Sequence, residues 1–264
     1  MRSLAAHLRL LAAYMRVNWR SALEYRANFV VEILLSVVEI AMYLFYWRVF
    51  FAISDGPPGI GFPQLAALVA FNHIIYGVAD TLTGSHVWDT GEMIVRGQLD
   101  IFLVQPKSAI YQIFFSGAQP ARGIQIVTGA ILFFWFVDPT PQTILLFLFG
   151  VIVGGSVFVS WVVMIQSLVF YLGNVMVVYK LLSIILHFAK KPATIFSVAI
   201  RFALYSIIPA AYMGSVQAGL VFNPNPLDFI LLLLLALASP FVAAAIFRFG
   251  MKRYESGNLI GVRI

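Results

Sequence analysis

Long apolar runs alternate with short polar connections along this chain. A helix needs roughly 20 apolar residues to cross about 30 Å of hydrocarbon. Because backbone amides find no water inside a bilayer, runs of that length are expected to be helices. The pattern therefore predicts an all-α polytopic membrane protein with six transmembrane helices. The runs lie at residues 29–52, 63–82, 118–137, 144–170 and 227–247, with a sixth placed ambiguously between 175 and 212.

The segment before the first apolar run, residues 1–27, has a different pattern. Its apolar residues recur every three or four positions, which places them on one face of a helix, and its arginines form a second stripe. We expect an amphipathic helix at the membrane interface, followed by a transmembrane domain at 28–250 and a basic tail at 251–264. A solvated basic leader is the alternative, and the frequent arginines argue against a cleavable signal. The two stripes are Leu4, Leu8, Leu11 and Met15, and Arg2, Arg9, Arg16 and Arg20.

Positive charge collects on alternate connections, which predicts the orientation of the chain. The connection at 53–62 has no lysine or arginine, whereas the connection at 83–107 carries Arg96 and Lys107. The tail at 251–264 is also basic. We therefore expect both termini to lie in the cytoplasm.

The stretch from residue 171 to residue 226 permits two arrangements. In the first, residues 168–196 form a cytoplasmic connection with several lysines, and residues 197–212 cross the membrane, which the positive-inside rule favours. In the second, residues 175–189 cross, and residues 192–212 dip back on the outer side as a re-entrant hairpin broken at Pro209. Such a hairpin is tolerated only where protein or a watery cavity covers it. The sequence pattern leaves both arrangements open.

Composition supports a membrane protein and limits its chemistry. Hydrophobic residues make up 61% of the 264 residues and charged residues 11%, and the mean hydropathy is +0.93. The chain has no cysteine, its four histidines lack ligand spacing, and it contains no phosphate-binding G-x-x-x-x-G-K-[ST] loop. We expect no catalysis by this chain, no bound cofactor or metal, and no nucleic-acid partner.

Ionisable and polar side chains inside the apolar runs are candidates for function, because they are costly in lipid unless they face water or a partner. Glu39 in the first run, and Asn72 and His73 in the second, are candidates for a transport pathway. For His73, an interhelical hydrogen bond is the structural alternative. Glu32 and Asp80 fit a structural role better.

Small residues in the fourth run, at 144–170, indicate close helix packing. Helices in lipid gain little from hydrophobic attraction to one another, so small side chains that permit close contact favour their association. The pattern is common in polytopic proteins and indicates no particular function. The residues are Gly150, Gly154 and Gly155.

The inner connection at 83–107 holds the most distinctive element outside the apolar runs. Glu92 and Arg96 form an i,i+4 pair that supports a helix, and Gly97 is expected to end it. Asp100 then stands among apolar residues. A short amphipathic helix of this kind could dock into a groove of a soluble partner. A helix resting on the lipid surface is the alternative.

The string Gly97-x-Leu99-Asp100-x-x-Leu103-x-x-Pro106 resembles the small six-span membrane subunits of the ABC-2 type transporter family. Three further segments, at residues 25–27, 188–196 and 247–256, are similar to that family and occur in the same order, so the resemblance covers nearly the whole chain. Two departures remove charge, because family members often have Glu and Arg at the positions of Gln98 and Gln105.

The resemblance implies one membrane subunit of an exporter in the bacterial inner membrane. Two six-span subunits, either two copies or two related chains, would face each other above a dimer of separate ATPase subunits that bind ATP and Mg²⁺. An outer re-entrant hairpin would precede the last span, and an apolar or amphipathic cargo, such as a drug, lipid or natural product, would pass between the subunits. The inner connection would be the coupling helix, with Glu92, Arg96, Gly97, Leu99, Asp100, Leu103 and Pro106 as coupling residues.

Two functions of other classes remain open. The first is an ion-gradient-driven carrier that uses Glu39 and His73. The second is a membrane scaffold that transports nothing. A neighbouring gene for an ATPase with a phosphate loop would favour the exporter over both.

Overall fold

The computed structural model describes residues 2–24, 26–54, 56–105, 109–206 and 209–254. Within these ranges the regular secondary structure is entirely helical, as predicted. The α-helices are α1 (Arg2–Glu24), α2 (Arg26–Ile53), α3 (Phe62–Val95), α4 (Asp100–Leu103), α5 (Ala109–Ser116), α6 (Ile124–Phe136), α7 (Pro141–Ser167), α8 (Val169–Leu172), α9 (Val175–Ala189), α10 (Val198–Ser206), α11 (Ser215–Phe222) and α12 (Pro226–Met251). Short 3₁₀ helices lie at Pro120–Gly123, Ala193–Ile195 and Pro209–Met213.

Four helical segments are long and apolar enough to cross a membrane. They are Arg26–Ile53, Phe62–Gly84, Pro141–Leu172 and Pro226–Met251, and each contains most of one predicted run. The two remaining runs form shorter apolar helices, at Pro120–Phe136 and Val175–Ala189.

Side-chain caps and prolines mark where several of these helices begin. Thr140 accepts a hydrogen bond from the backbone amide of Thr143, which satisfies one of the free donors at the start of α7. Asn174 and Asn225 cap α9 and α12 in the same way. A proline follows the cap in α7 and α12, where its missing N–H has no cost.

The run at 118–137 and the ambiguous region between 175 and 212 do not form uniform long helices. The run expected at 118–137 opens with a 3₁₀ turn at Pro120–Gly123, and only Ile124–Phe136 is α-helical. The region 175–212 forms one continuous helix over Val175–Ala189. The alternative crossing at 197–212 is not one helix, since α10 ends at Ser206 and a 3₁₀ helix follows at Pro209–Met213.

The N-terminal segment forms α1, which packs beside α2 and α5. The Asn18 side chain donates a hydrogen bond to the Ser116 carbonyl at 3.0 Å, and the Tyr111 hydroxyl donates to the His7 carbonyl. Within the apolar stripe expected from the sequence, Leu8 is exposed on the outer side of the helix. The position of α1 at a membrane interface stays a prediction.

Helix α3 lies at the centre of the packing, with α2, α6, α7 and α11 around it. The most apolar part of its span is 72% buried inside the chain, whereas the corresponding part of α2 is only 6% buried. Phe71 of α3 packs against Phe133 and Phe147, with ring centroids 5.3 and 5.8 Å away. Helix α2 is therefore the spanning helix that leaves most of its surface free for lipid or another subunit.

The glycines of α7 differ in how closely their neighbours approach. A Cβ at Gly154 would lie 2.6 Å from Ile75 Cδ1 and 2.5 Å from Gln217 Nε2. A Cβ at Gly150 would lie 2.7 Å from the Phe71 ring. At Gly155 the nearest atom would be 3.8 Å away, an ordinary contact. Gly150 and Gly154 lie at close helix contacts, and Gly155 has room for a methyl group.

We expect Gly154→Ala to lower the free energy of unfolding by about 1–3 kcal/mol, because Ile75 is fully buried and must shift to admit the methyl group. Gly155→Ala is the matched control one residue away and should be neutral or slightly stabilising, since alanine favours a helix. Thermal unfolding of the two variants in the same detergent compares them. Equal effects would contradict the close contact at Gly154.

Candidate functional site

An open cleft lies between α2, α3, α6 and the end of α9. It brings together the three side chains that the sequence indicated as pathway candidates, Glu39, Asn72 and His73. It also contains Lys190, which the sequence analysis placed in an uncertain connection. The remaining lining residues are Ile40, Tyr43, Val69, Tyr76 and Gln125.

An ion pair crosses the mouth of this cleft. The Lys190 ammonium lies 3.2 Å from Glu39 Oε1 and 5.3 Å from the centre of the Tyr76 ring, so it contacts both a carboxylate and an aromatic face. The side chains of Lys190 and Glu39 are 37% and 51% exposed in the isolated chain. Glu39 lies about midway along α2, so the pair is placed well inside the span. Each charge compensates the other where water is scarce.

The end of α9 is fixed to α2 and α3 by two side chains. A helix end leaves its last carbonyls without partners within the helix. Asn72 Nδ2 donates to the Ala189 carbonyl at 3.2 Å, and the Tyr43 hydroxyl donates to the Lys190 carbonyl at 2.9 Å. Gly214 makes room for this contact, since a Cβ there would lie 2.1 Å from Asn72 Nδ2. These bonds hold Lys190 at the cleft.

His73 joins three helices rather than facing open space. Its Nε2 lies 3.0 Å from the Ser36 hydroxyl of α2 and 3.2 Å from the Thr128 hydroxyl of α6. The two hydroxyls are themselves 3.2 Å apart. The histidine therefore makes the interhelical hydrogen bonds that were the structural alternative for it.

Two other charges inside the apolar runs also have partners. Glu32 lies 3.7 Å from the Arg122 side chain, and Asp80 accepts a hydrogen bond from Trp88 Nε1 at 2.7 Å. Both contacts join separate turns or helices and fit the structural roles expected for Glu32 and Asp80. Among the described residues, no group of three His, Asp or Glu side chains could hold a metal ion.

In the inner connection at 83–107, the predicted Glu92–Arg96 pair and the predicted helix end at Gly97 are both present. Glu92 and Arg96 pair on the last turn of α3. Gly97 follows with φ +69°, a left-handed conformation that favours glycine, and α4 then covers Asp100–Leu103. Leu103 is exposed. Pro106 lies outside the described residues.

Leu99, one of the coupling residues that the family resemblance implied, is completely buried within its own chain and offers no surface to a partner in this conformation. The exposed apolar side chains are instead Ile101, Leu103 and Val104. The spacing of four is kept, since the Leu103 amide donates to the Leu99 carbonyl, but spacing alone does not tell which side of α4 packs against the chain.

The Asp100 carboxylate lies near the phenol of Tyr254, just beyond α12. Burial, and then this carboxylate, raise the pKa of Tyr254 to about 12. The connection is thereby tied to the end of the last helix. Asp100 thus has a neighbour in its own chain and need not meet a cation of a partner.

Helix α3 links the cleft to this connection through a kink at Gly84, where φ is 54° and ψ is −145°. A Cβ at Gly84 would lie 1.6 Å from the Gly117 carbonyl oxygen, so only glycine fits both the conformation and the space. The sequence pattern predicted neither this kink nor a role for Lys190 in a site. The pattern that could have indicated Lys190 is two lysines followed by Pro192 at the end of a helix.

A family model described as "ABC-2 family transporter protein" matches residues 37–258, which include the cleft and the inner connection. No curated protein and no solved structure matches the chain.

We expect Asn72→Leu to destabilise the chain by about 1–3 kcal/mol, because it leaves the Ala189 carbonyl unpaired in the interior. Asn28→Leu is the matched control, since Asn28 lies on the exposed side of α2 and its loss should change stability by less than about 0.5 kcal/mol. Thermal unfolding in detergent measures both. Equal stability of Asn72→Leu and the unmodified chain would show that the end of α9 does not depend on this bond.

Proposed function

Because the chain belongs to the ABC-2 transporter family, we propose that it is the membrane subunit of an ATP-driven exporter. The family match over residues 37–258 is the observation that carries this proposal. With no phosphate-binding loop in its sequence, the chain takes its energy from a dimer of separate ATPase subunits that bind ATP and Mg²⁺. A second permease, either another copy or a related chain, completes the pathway.

The exposed surface of α2 supports a second membrane subunit. The most apolar part of this helix is only 6% buried, and the half-exposed Glu39 side chain lies midway along it. A carboxylate facing lipid at that depth is costly, even with a lysine beside it. A facing subunit with a watery pathway between the two would relieve that cost.

The exposed apolar side chains of α4 support an ATPase-binding role for the inner connection. Ile101, Leu103 and Val104 form a small apolar tip on a connection that joins α3 to α5. Such a tip suits a groove on a soluble partner, and α3 would carry the motion of that partner toward the cleft.

The ion pair supports the arrangement in which Val175–Ala189, and not 197–212, is the fifth membrane segment. Lys190 lies beside Glu39, about midway along α2, which argues against a cytoplasmic connection at 168–196. Residues 192–212 then form the outer re-entrant segment, and α11 runs to the outer turn before α12. Both termini lie in the cytoplasm, and the membrane is a bacterial inner membrane.

Transport requires two conformations of the pathway, one open to the cytoplasm or membrane and one open to the outside. ATP binding closes the ATPase dimer, which moves the two coupling connections together and opens the pathway to the outside. Cargo held in the cleft is then released. The alternative, an ion-gradient-driven carrier, would use Glu39 and His73, but each already has partners inside the chain: Lys190 for Glu39, and Ser36 and Thr128 for His73.

We expect Leu103→Asp to abolish ATPase binding and transport while the chain still inserts and folds. The change puts a charge into a contact that would be desolvated in the complex, at a cost of about 3–5 kcal/mol. Co-purification of the ATPase with the membrane subunit, and ATP hydrolysis by the complex, measure it.

The matched control is Gln98→Asp, which adds the same charge at an exposed position of the same connection. It should leave ATPase binding intact, since glutamate is common at this position in related permeases. Full transport by Leu103→Asp would place α4 on the lipid surface and contradict its role in coupling. ATP hydrolysis by the purified chain alone would contradict the exporter proposal itself.

We expect a cysteine at Ser206 to react with an impermeant thiol reagent from outside intact cells, because α10 would belong to the outer re-entrant segment. Since the chain has no cysteine of its own, each single label reports one position. Ser54→Cys and Gln98→Cys serve as outer and inner controls. Labelling of Thr194→Cys only from inside would instead restore a crossing at 197–212.

A further inference from the structure

Among the described residues that line the cleft, Glu39 and Lys190 are the only acidic and basic side chains apart from His73. Lys190 contacts the Glu39 carboxylate and the Tyr76 ring, and His73 bonds to Ser36 and Thr128. The two charges sum to zero. Both side chains are partly exposed, so a ligand entering the cleft can reach each of them.

From this geometry we propose that the cleft selects cargo whose headgroup carries one positive and one negative charge. The proposal rests on the exporter function, in which this cleft belongs to the pathway. The anionic group of the cargo pairs with Lys190, and its cationic group pairs with Glu39 and the face of Tyr76.

Charge balance is the physical reason. A cation that takes Glu39 leaves the Lys190 ammonium without a carboxylate, and an anion that takes Lys190 leaves Glu39 without a cation. Inside a membrane span, an uncompensated charge costs more than the new contact returns. A zwitterion opens the ion pair and satisfies both ends, so the cleft discriminates by net charge as well as by shape.

The rest of the lining indicates that the cargo also has an apolar part. Ile40 and Val69 contribute aliphatic surface, and Tyr43 and Tyr76 contribute aromatic surface beside the charges. Most of α2 is apolar, and few of its side chains are fully buried within the chain. A membrane-dissolved amphiphile fits this surface better than a soluble zwitterion does.

Binding can be tested on the membrane subunit alone, through the labelling rate of Ile40→Cys by a small maleimide. The probes share a 12-carbon tail: dodecylphosphocholine is zwitterionic, dodecyltrimethylammonium is cationic and dodecyl phosphate is anionic. We expect dodecylphosphocholine to protect the cysteine at about a tenfold lower concentration than either singly charged probe. Phosphocholine without a tail should protect poorly. Ser54→Cys, outside the cleft, should be protected by none of them.

Neutralising one charge at a time gives the sharper test. In the Ile40→Cys background, Glu39→Gln should shift the preference to the anionic probe, and Lys190→Met should shift it to the cationic probe. The exchanged pair, Glu39→Lys with Lys190→Glu, should restore the preference for the zwitterion, which also guards against variants that fail only by misfolding.

Equal protection by all three charged probes, or an unchanged order in both single variants, would overturn the proposal. If phosphocholine without a tail protected the cysteine as well as dodecylphosphocholine does, the proposal that the cargo has an apolar part would be wrong. Because the assay contains no ATPase, these outcomes are separate from failure of the exporter function. Loss of ATPase binding would leave zwitterion protection intact, and loss of zwitterion selectivity would leave ATPase binding intact.

Discussion

The arrangement of this protein depends on how helix α9 ends in the interior of the molecule. Helix α9 stops at Ala189, and the carbonyls of its last turn have no partners within the helix itself. Asn72 and Tyr43 supply two of the missing donors. Since those donors sit on α3 and α2, the end of α9 is held between the two helices, and the following residue, Lys190, is held beside Glu39. The need to pair these carbonyls thus determines where α9 ends and holds the ion pair at the cleft.

The same requirement explains why the centre of the molecule is more polar than its composition suggests. A chain that is 61% hydrophobic still places Asn72, His73 and Gln125 in one buried region of α3 and α6. His73 finds two hydroxyls on different helices, and the Asn72 amide donates to the Ala189 carbonyl. Hydrogen bonds between helices fix their relative positions where hydrophobic attraction cannot, because lipid is as apolar as the side chains.

Much of the fold was predictable, because the apolar runs and the proline and asparagine caps act locally. Four runs form long apolar helices near the expected bounds, and the Glu92–Arg96 pair and the helix end at Gly97 lie where their spacing predicted. The site was predictable only in part. The position of Lys190 was uncertain, because the positive-inside rule considers only the number of lysines and arginines and not whether a carboxylate pairs with them. The burial of Leu99 was not predictable, because α4 packs against α5 and against the residues after α12, and no local sequence pattern shows those contacts.

Helix α3 connects the two regions on which function would depend. It carries Asn72 and His73 at the cleft and Glu92 at its inner end, in two helical parts that meet at Gly84. A straight helix would transmit a push along its axis, but the kink at Gly84 changes the direction of its inner part. The Gly117 carbonyl lies against that kink so closely that no side chain fits between them. The inner part of α3 is thus packed against the segment around Gly117, which continues toward α6. Helix α6 bears Thr128, whose hydroxyl contacts His73, so two packed connections join the inner end of α3 to the cleft, one along α3 and one through α6.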